Sequence, residues 1–137
     1  MEPIKIDITI LEPIEKVWSY YNDPRHIVKW NFATDKWCCP KAENNLTVGG
    51  TFNYRMEAKD KSYGFDMTGT YEEIIPNQQI TYRLDDGRKV MVTFEKVDDS
   101  TTKVIQEFEP ESFNSREMQR EGWYQILNNF HKYVETH

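Results

Sequence analysis

Between Phe113 and Val134 the apolar residues recur at three- and four-residue steps: Met118, Trp123, Ile126, Leu127, Phe130, Tyr133 and Val134. That spacing places them on one broad stripe of a long helix. From about Val48 to Phe108 the pattern is different, an alternation with the period of strands. A lone amphipathic helix that follows a run of strands buries its stripe by lying across a curved sheet. A twisted sheet and a straight helix do not pack flush along their whole length, so this arrangement leaves a hollow between them. The order of elements therefore points to a fold that receives a small molecule, without naming the molecule.

The remaining elements are read in the same way. Ile4, Ile6, Ile8 and Ile10 alternate with Lys5, Asp7 and Thr9, a strand with one buried face. Pro13 opens a helix whose apolar side carries Val17, Trp18, Tyr20 and Tyr21. Asn22-Asp23-Pro24 stops it and starts another over 24–30, with Asp23 as cap and Pro24 at the first helical position. Residues 31–47 hold Phe32, Trp37, Cys38, Cys39 and Pro40 without a clear period, and are expected to form a loop with its rings folded inward. Gly49-Gly50 marks a turn or bulge. Strands follow around Tyr54, Met67, Tyr82, Val92 and Gln106, separated by turns at Ala58–Ser62, Pro76-Asn77, Asp85-Asp86-Gly87 and Asp98-Asp99-Ser100. Gly69 inside a strand calls for a bend or a close approach by another element. Pro110 ends the last strand, and Asn114 or Ser115 caps a final helix over about 114–135. The expected order is strand, two short helices, five strands in an antiparallel meander, and a long helix. This is an α+β fold in one domain over 1–137.

Charge and composition exclude several functions. The formal net charge of −6 and pI of about 5.1 give no basic footprint for nucleic acid. No apolar stretch approaches the roughly 20 residues of a membrane span. The start, MEPIKIDITI, lacks the apolar centre of a signal peptide, so a cytoplasmic location is expected. The two cysteines are adjacent, and His26, His131 and His137 are scattered. No metal site or other cofactor is expected, and the cysteines are expected to be reduced.

Aromatic residues make up 14% of the chain, and such rings either fill a core or line a cavity. The candidates for a cavity wall are Trp30, Phe32, Trp37, Phe52, Tyr54, Met67, Tyr71, Tyr82, Trp123 and Leu127. Together they would make a mostly apolar pocket with a few polar handles, the usual build of a small-molecule site. Glu107, Glu109 and Glu111 share one face, opposite Val104 and Phe108, and are expected in solvent. His26 is expected near the pocket mouth, without a sequence neighbour to orient it as a base. No nucleophile motif, phosphate-cradling loop or dinucleotide fingerprint is present. No catalytic residue is assigned, and whether the chain is an enzyme stays open.

Five stretches carry a family resemblance: Val48-Gly49-Gly50-Thr51-Phe52, Met56 to Asp60, Gly64-Phe65-Asp66, Asp86-Gly87-Arg88 and Gln119 to Trp123. At these separations they resemble a bacterial group similar to the C-terminal domain of the activator of Hsp90 ATPase. That group lies in the helix-grip superfamily with START domains, the birch-pollen allergen and polyketide cyclases. The resemblance runs nearly end to end. It implies a helix-grip fold: a curved antiparallel sheet of six to seven strands wrapped around a long C-terminal helix, with two short helices after the first strand. The residue pattern by itself counts six strands. Three functions follow from the resemblance. One is binding of a lipophilic or aromatic small molecule between the C-terminal helix and the sheet. The second is a stress- or chaperone-linked interaction with a protein partner, and the third is polyketide cyclase-like catalysis. A fold hosts many functions, so the site must decide.

Overall fold

The alternating isoleucines at the N-terminus form β1 (Ile4–Ile10), in which all four are buried and Lys5, Asp7 and Thr9 are exposed. A computed structural model describes residues 2–137. After β1 come α1 (Ile14–Asn22), α2 (Pro24–Trp30), β2 (Trp37–Asn44), β3 (Thr51–Ala58), β4 (Gly64–Ile75), β5 (Gln79–Leu84), β6 (Lys89–Asp98), β7 (Thr101–Phe108) and α3 (Arg116–Thr136). The seven strands form one curled antiparallel sheet in the order β1-β7-β6-β5-β4-β3-β2. The long helix on its concave face makes this a helix-grip fold.

Asp23 caps α2: its carboxylate accepts from the Arg25 backbone N–H at 2.9 Å, with Pro24 at the first helical position. Ser115 caps α3 by accepting from the Met118 backbone N–H at 3.1 Å. The segment 31–47 corrects the sequence reading, because Trp37–Asn44 is a strand and not a loop. It is the edge strand paired with β3, and its register shifts between Cys38 and Lys41, around Pro40. Proline has no N–H for a ladder and is tolerated at edges and bulges. The bulge also breaks the alternation by which a strand is recognised.

Gly69 has the close approach that its place in a strand requires. A Cβ there would lie 2.6 Å from the Phe52 ring and 2.7 Å from the Arg83 carbonyl oxygen.

Leu127, Phe130 and Val134 of α3 are buried, and Phe130 packs against Trp30 and Tyr21 at ring distances of 4.7 and 5.2 Å. The helix is pinned at both ends. Arg116 donates to the Glu2 carbonyl at 2.7 Å, and Glu135 accepts from the Leu11 N–H at 2.8 Å. Midway, Asn129 donates to the carbonyls of Trp30 and Phe32 at 3.0 and 3.3 Å. α3 thus runs alongside β1, and its close backbone approaches are to β1, α1 and α2. The inner face of β3, β4 and β5 is left to side chains alone.

Candidate functional site

Parity decides what that uncovered face presents. β3 sends Phe52, Tyr54 and Met56 inward, β4 sends Met67 and Tyr71, and β5 sends Ile80, Tyr82 and Leu84. With Trp30 from α2 and Trp123 and Ile126 from α3, they enclose a hollow of about 260 Å³. Phe52 is the centre of the aromatic wall. Its ring lies 4.8 Å from Tyr54, 5.5 Å from Tyr71 and 5.0 Å from Tyr82. Opposite, Trp123 lies flat on Phe108 at 4.0 Å.

Of the candidate wall residues, Trp30, Phe52, Tyr54, Met67, Tyr71, Tyr82 and Trp123 border the hollow. Phe32, Trp37 and Leu127 do not. Leu127 follows Ile126 by one helical step, which turns it into the core, where it is 1% exposed. Trp37 begins edge strand β2 and meets the rings of Tyr63 and Phe65 instead. Phe32 is half-buried against the core beyond α2. Among the described residues, Phe65 is the one exposed lining residue, at 42%, while Trp30 and Asn31 are buried. This exposed edge of the lining lies at the start of β4, where the Phe65 ring is 6.1 Å from that of Trp37 in the 31–40 segment. His26 is remote from it, stacked on Tyr20 at 3.9 Å with Nδ1 2.8 Å from the Tyr133 hydroxyl. Glu107 and Glu109 alternate with buried Gln106 and Phe108, and neither borders the hollow.

Polar groups in the wall are few and differently committed. Gln106 donates through Nε2 to the Tyr21 hydroxyl at 2.8 Å, while its Oε1 is buried without a partner. Tyr71 donates to Asn44 Oδ1 at 2.6 Å, and Asn44 donates to the Asn22 carbonyl at 2.9 Å. The Tyr82 hydroxyl has no hydrogen-bond partner among the described residues, yet it is not sealed in, so it faces the hollow. Burial, above all other causes, makes these phenols hard to ionise. It raises Tyr21, Tyr54 and Tyr82 well above the ordinary range and pushes Tyr71 up to about 12. Among the described residues, Arg88 is the one charged residue that borders the hollow.

Gln106 and Arg88 were within reach of sequence reasoning. Gln106 shares parity with Val104 and Phe108, and Arg88 shares it with Val90, Val92 and Phe94. A polar or charged residue on an otherwise apolar parity is the signal. For Arg88 it is masked by a turn sequence that explains the residue equally well.

Both cysteines are free, and burial pushes the Cys39 thiol up to about 11. Among the described residues no three His, Cys, Asp or Glu side chains gather as metal ligands, and no helix is long and apolar enough to cross a membrane.

Comparison with known proteins agrees with this architecture. A family model described as activator of Hsp90 ATPase homolog 1-like protein matches residues 12–135. The solution structure of an AHSA1-like protein from Aeromonas hydrophila is 39% identical, with 97% of this chain and 93% of that chain covered and a TM-score of 0.88. A protein of Cytophaga hutchinsonii is 45% identical, with 98% and 92% covered and a TM-score of 0.85. A Nitrosomonas europaea protein at only 13% identity has a TM-score of 0.83 over 98% and 95% of the two chains, a likeness of fold alone. No curated protein matches the chain at a significant level. With the family model spanning nearly its whole length, the chain belongs to the activator of Hsp90 ATPase homolog 1-like family.

Proposed function

We propose that this protein binds a small, largely apolar molecule of one or two rings in the hollow between α3 and the sheet. The observation that carries the reading is the uncommitted Tyr82 hydroxyl in an otherwise aromatic wall. The hydroxyl is reachable from the hollow, so a ligand acceptor there exchanges a water contact for a direct hydrogen bond, worth about 0.5–1.5 kcal/mol net. The size is suitable, since an apolar cavity of about 150 Å³ holds benzene and this hollow is about 260 Å³.

Binding is favoured over catalysis by the chemistry of the wall. Its lining contains no carboxylate, histidine or thiol among the described residues, and its phenols are held neutral by burial. A proton-transfer step needs a group with a pKa near the working pH, and the wall offers none.

The test uses 2-naphthalenemethanol, a neutral two-ring alcohol. Saturable quenching of the tryptophan fluorescence and a rise in Tm of several degrees at saturating probe are expected, because a molecule that binds only the folded state stabilises it. No saturable response, together with no shift in Tm, would sink the binding reading.

A further inference from the structure

Arg88 sits where a hairpin arginine has no structural need to be. It follows Gly87, whose φ of 93° makes the tight turn, and its backbone carbonyl accepts from the Leu84 N–H at 2.9 Å. The hairpin is closed by backbone groups and by the Asp86 carboxylate, which accepts from the Arg88 N–H at 3.1 Å. None of this uses the guanidinium. That group occupies the inward parity of β6 at the lip of the hollow, with 24% of the side chain exposed. Its Nε donates to Asp86 at 2.9 Å, but Asp86 is 55% exposed and largely solvated. The two terminal nitrogens of Arg88 have no protein acceptor among the described residues.

The interior beside it is one-sided. Among the described residues Arg88 is the only charge in the lining, and no carboxylate faces it from β3, β4, β5 or α3 across the hollow; Asp86 and Glu109 border it only in a shallow cleft outside. The Tyr82 phenol borders the same hollow and is an uncommitted donor. Arg88 lies opposite Leu84 and Tyr82 lies opposite Val90, so Arg88 and Tyr82 are diagonal neighbours on one face of the β5–β6 hairpin. A phenol without an acceptor and a guanidinium whose two terminal nitrogens are free make a two-point receptor for an anion. Beyond them the wall is aromatic and closed, suited to a flat apolar body.

We infer that the hollow selects a singly charged aromatic carboxylate, with its head group held by Arg88 and Tyr82 and its ring system lying against Phe52, Met67 and Trp123. The inference deepens the binding reading above and rests on it. A carboxylate meets the planar guanidinium through two parallel hydrogen bonds, which a hydroxyl cannot do. In a half-buried position that difference survives screening better than at the surface.

The experiment compares three probes of one shape by calorimetry: 2-naphthoate, 2-naphthalenemethanol and 2-naphthylmethylammonium. Naphthoate should bind about tenfold or more tighter than the alcohol, since hydrogen bonds to charged groups are the stronger ones. The ammonium should bind more weakly than either. In Arg88→Gln the preference for naphthoate over the alcohol should fall to within about twofold. Arg88→Lys, which keeps the charge but loses the planar fork, should recover part of the preference. Far-UV circular dichroism and Tm of each variant check the fold. Equal affinity for naphthoate and alcohol in the wild type, or a preference that survives Arg88→Gln, would overturn the anion assignment and leave the binding reading standing. Silence from all three probes would remove both.

Discussion

At the scale of the residue, the four tyrosines around the hollow show how burial sets chemistry. Tyr21, Tyr54, Tyr71 and Tyr82 are identical side chains to the exposed tyrosines of the chain, but they have lost the water that would stabilise a phenolate. Their ionisation is raised in the folded state. The unfolded chain, with phenols near the usual value of about 10, therefore releases protons first as pH rises. Their contribution to stability is complete below about pH 10 and is lost as pH climbs through the folded values. Phenolate absorbance should thus be lower in the native than in the urea-unfolded protein at about pH 11, and chemical denaturation should show stability falling from pH 9 upward. Equal absorbance in the two states would show that these rings are solvated and that the hollow is open water.

At the scale of the element, the partnership of α3 with β1 is a match of lengths. From Arg116 to Glu135 a helix rising about 1.5 Å per residue covers about 29 Å. From Glu2 to Leu11 a strand rising about 3.3 Å per residue covers about 30 Å. The hydrogen bonds from Arg116 to Glu2 and from Leu11 to Glu135 close the two ends. With the helix held over this edge, Phe130 becomes the anchor between α3 and the short helices, at 0% exposure beside Trp30 and Tyr21. Phe130→Ala should lower the unfolding free energy by about 3–5 kcal/mol, measured by urea denaturation. A loss under about 1 kcal/mol would mean that α3 is peripheral to stability.

At the scale of the molecule, the hollow is the consequence of that off-centre helix. A seven-stranded sheet presents more inner surface than one helix pressed toward β1 covers, and rings from β3, β4 and β5 bridge only part of the difference. This distinguishes a cavity from a solid core by experiment. Met67→Phe adds bulk at the half-buried wall beside the mouth. In a solid core the larger ring would cost about 1–3 kcal/mol. With free space to enter, unfolding free energy should stay within about 1 kcal/mol of wild type, while saturable binding of 2-naphthalenemethanol is lost. A well-folded Met67→Phe that still binds the probe as tightly as wild type would place the binding site elsewhere.

Local rules determined much of this protein without reference to its tertiary structure. Alternation assigned Ile4 to Ile10 and the inward residues from Phe52 to Phe108 to strand faces, because successive strand side chains point to opposite sides. The stripe from Trp123 to Val134 and the capping chemistry of Asp23 and Ser115 located the helices, since these depend on spacing and on neighbours a turn away. β2 was hidden because a bulge at Pro40 erases its period and its pairing partner, β3, supplies the order from outside the segment. Parity also cannot separate core from cavity wall: Leu127 and Ile126, adjacent on one stripe, fall on opposite sides of that division. Which inward side chains meet atoms and which meet space depends on where α3 lies, and contacts distant in sequence decide that: Arg116 with Glu2, Glu135 with Leu11, and Asn129 with Trp30.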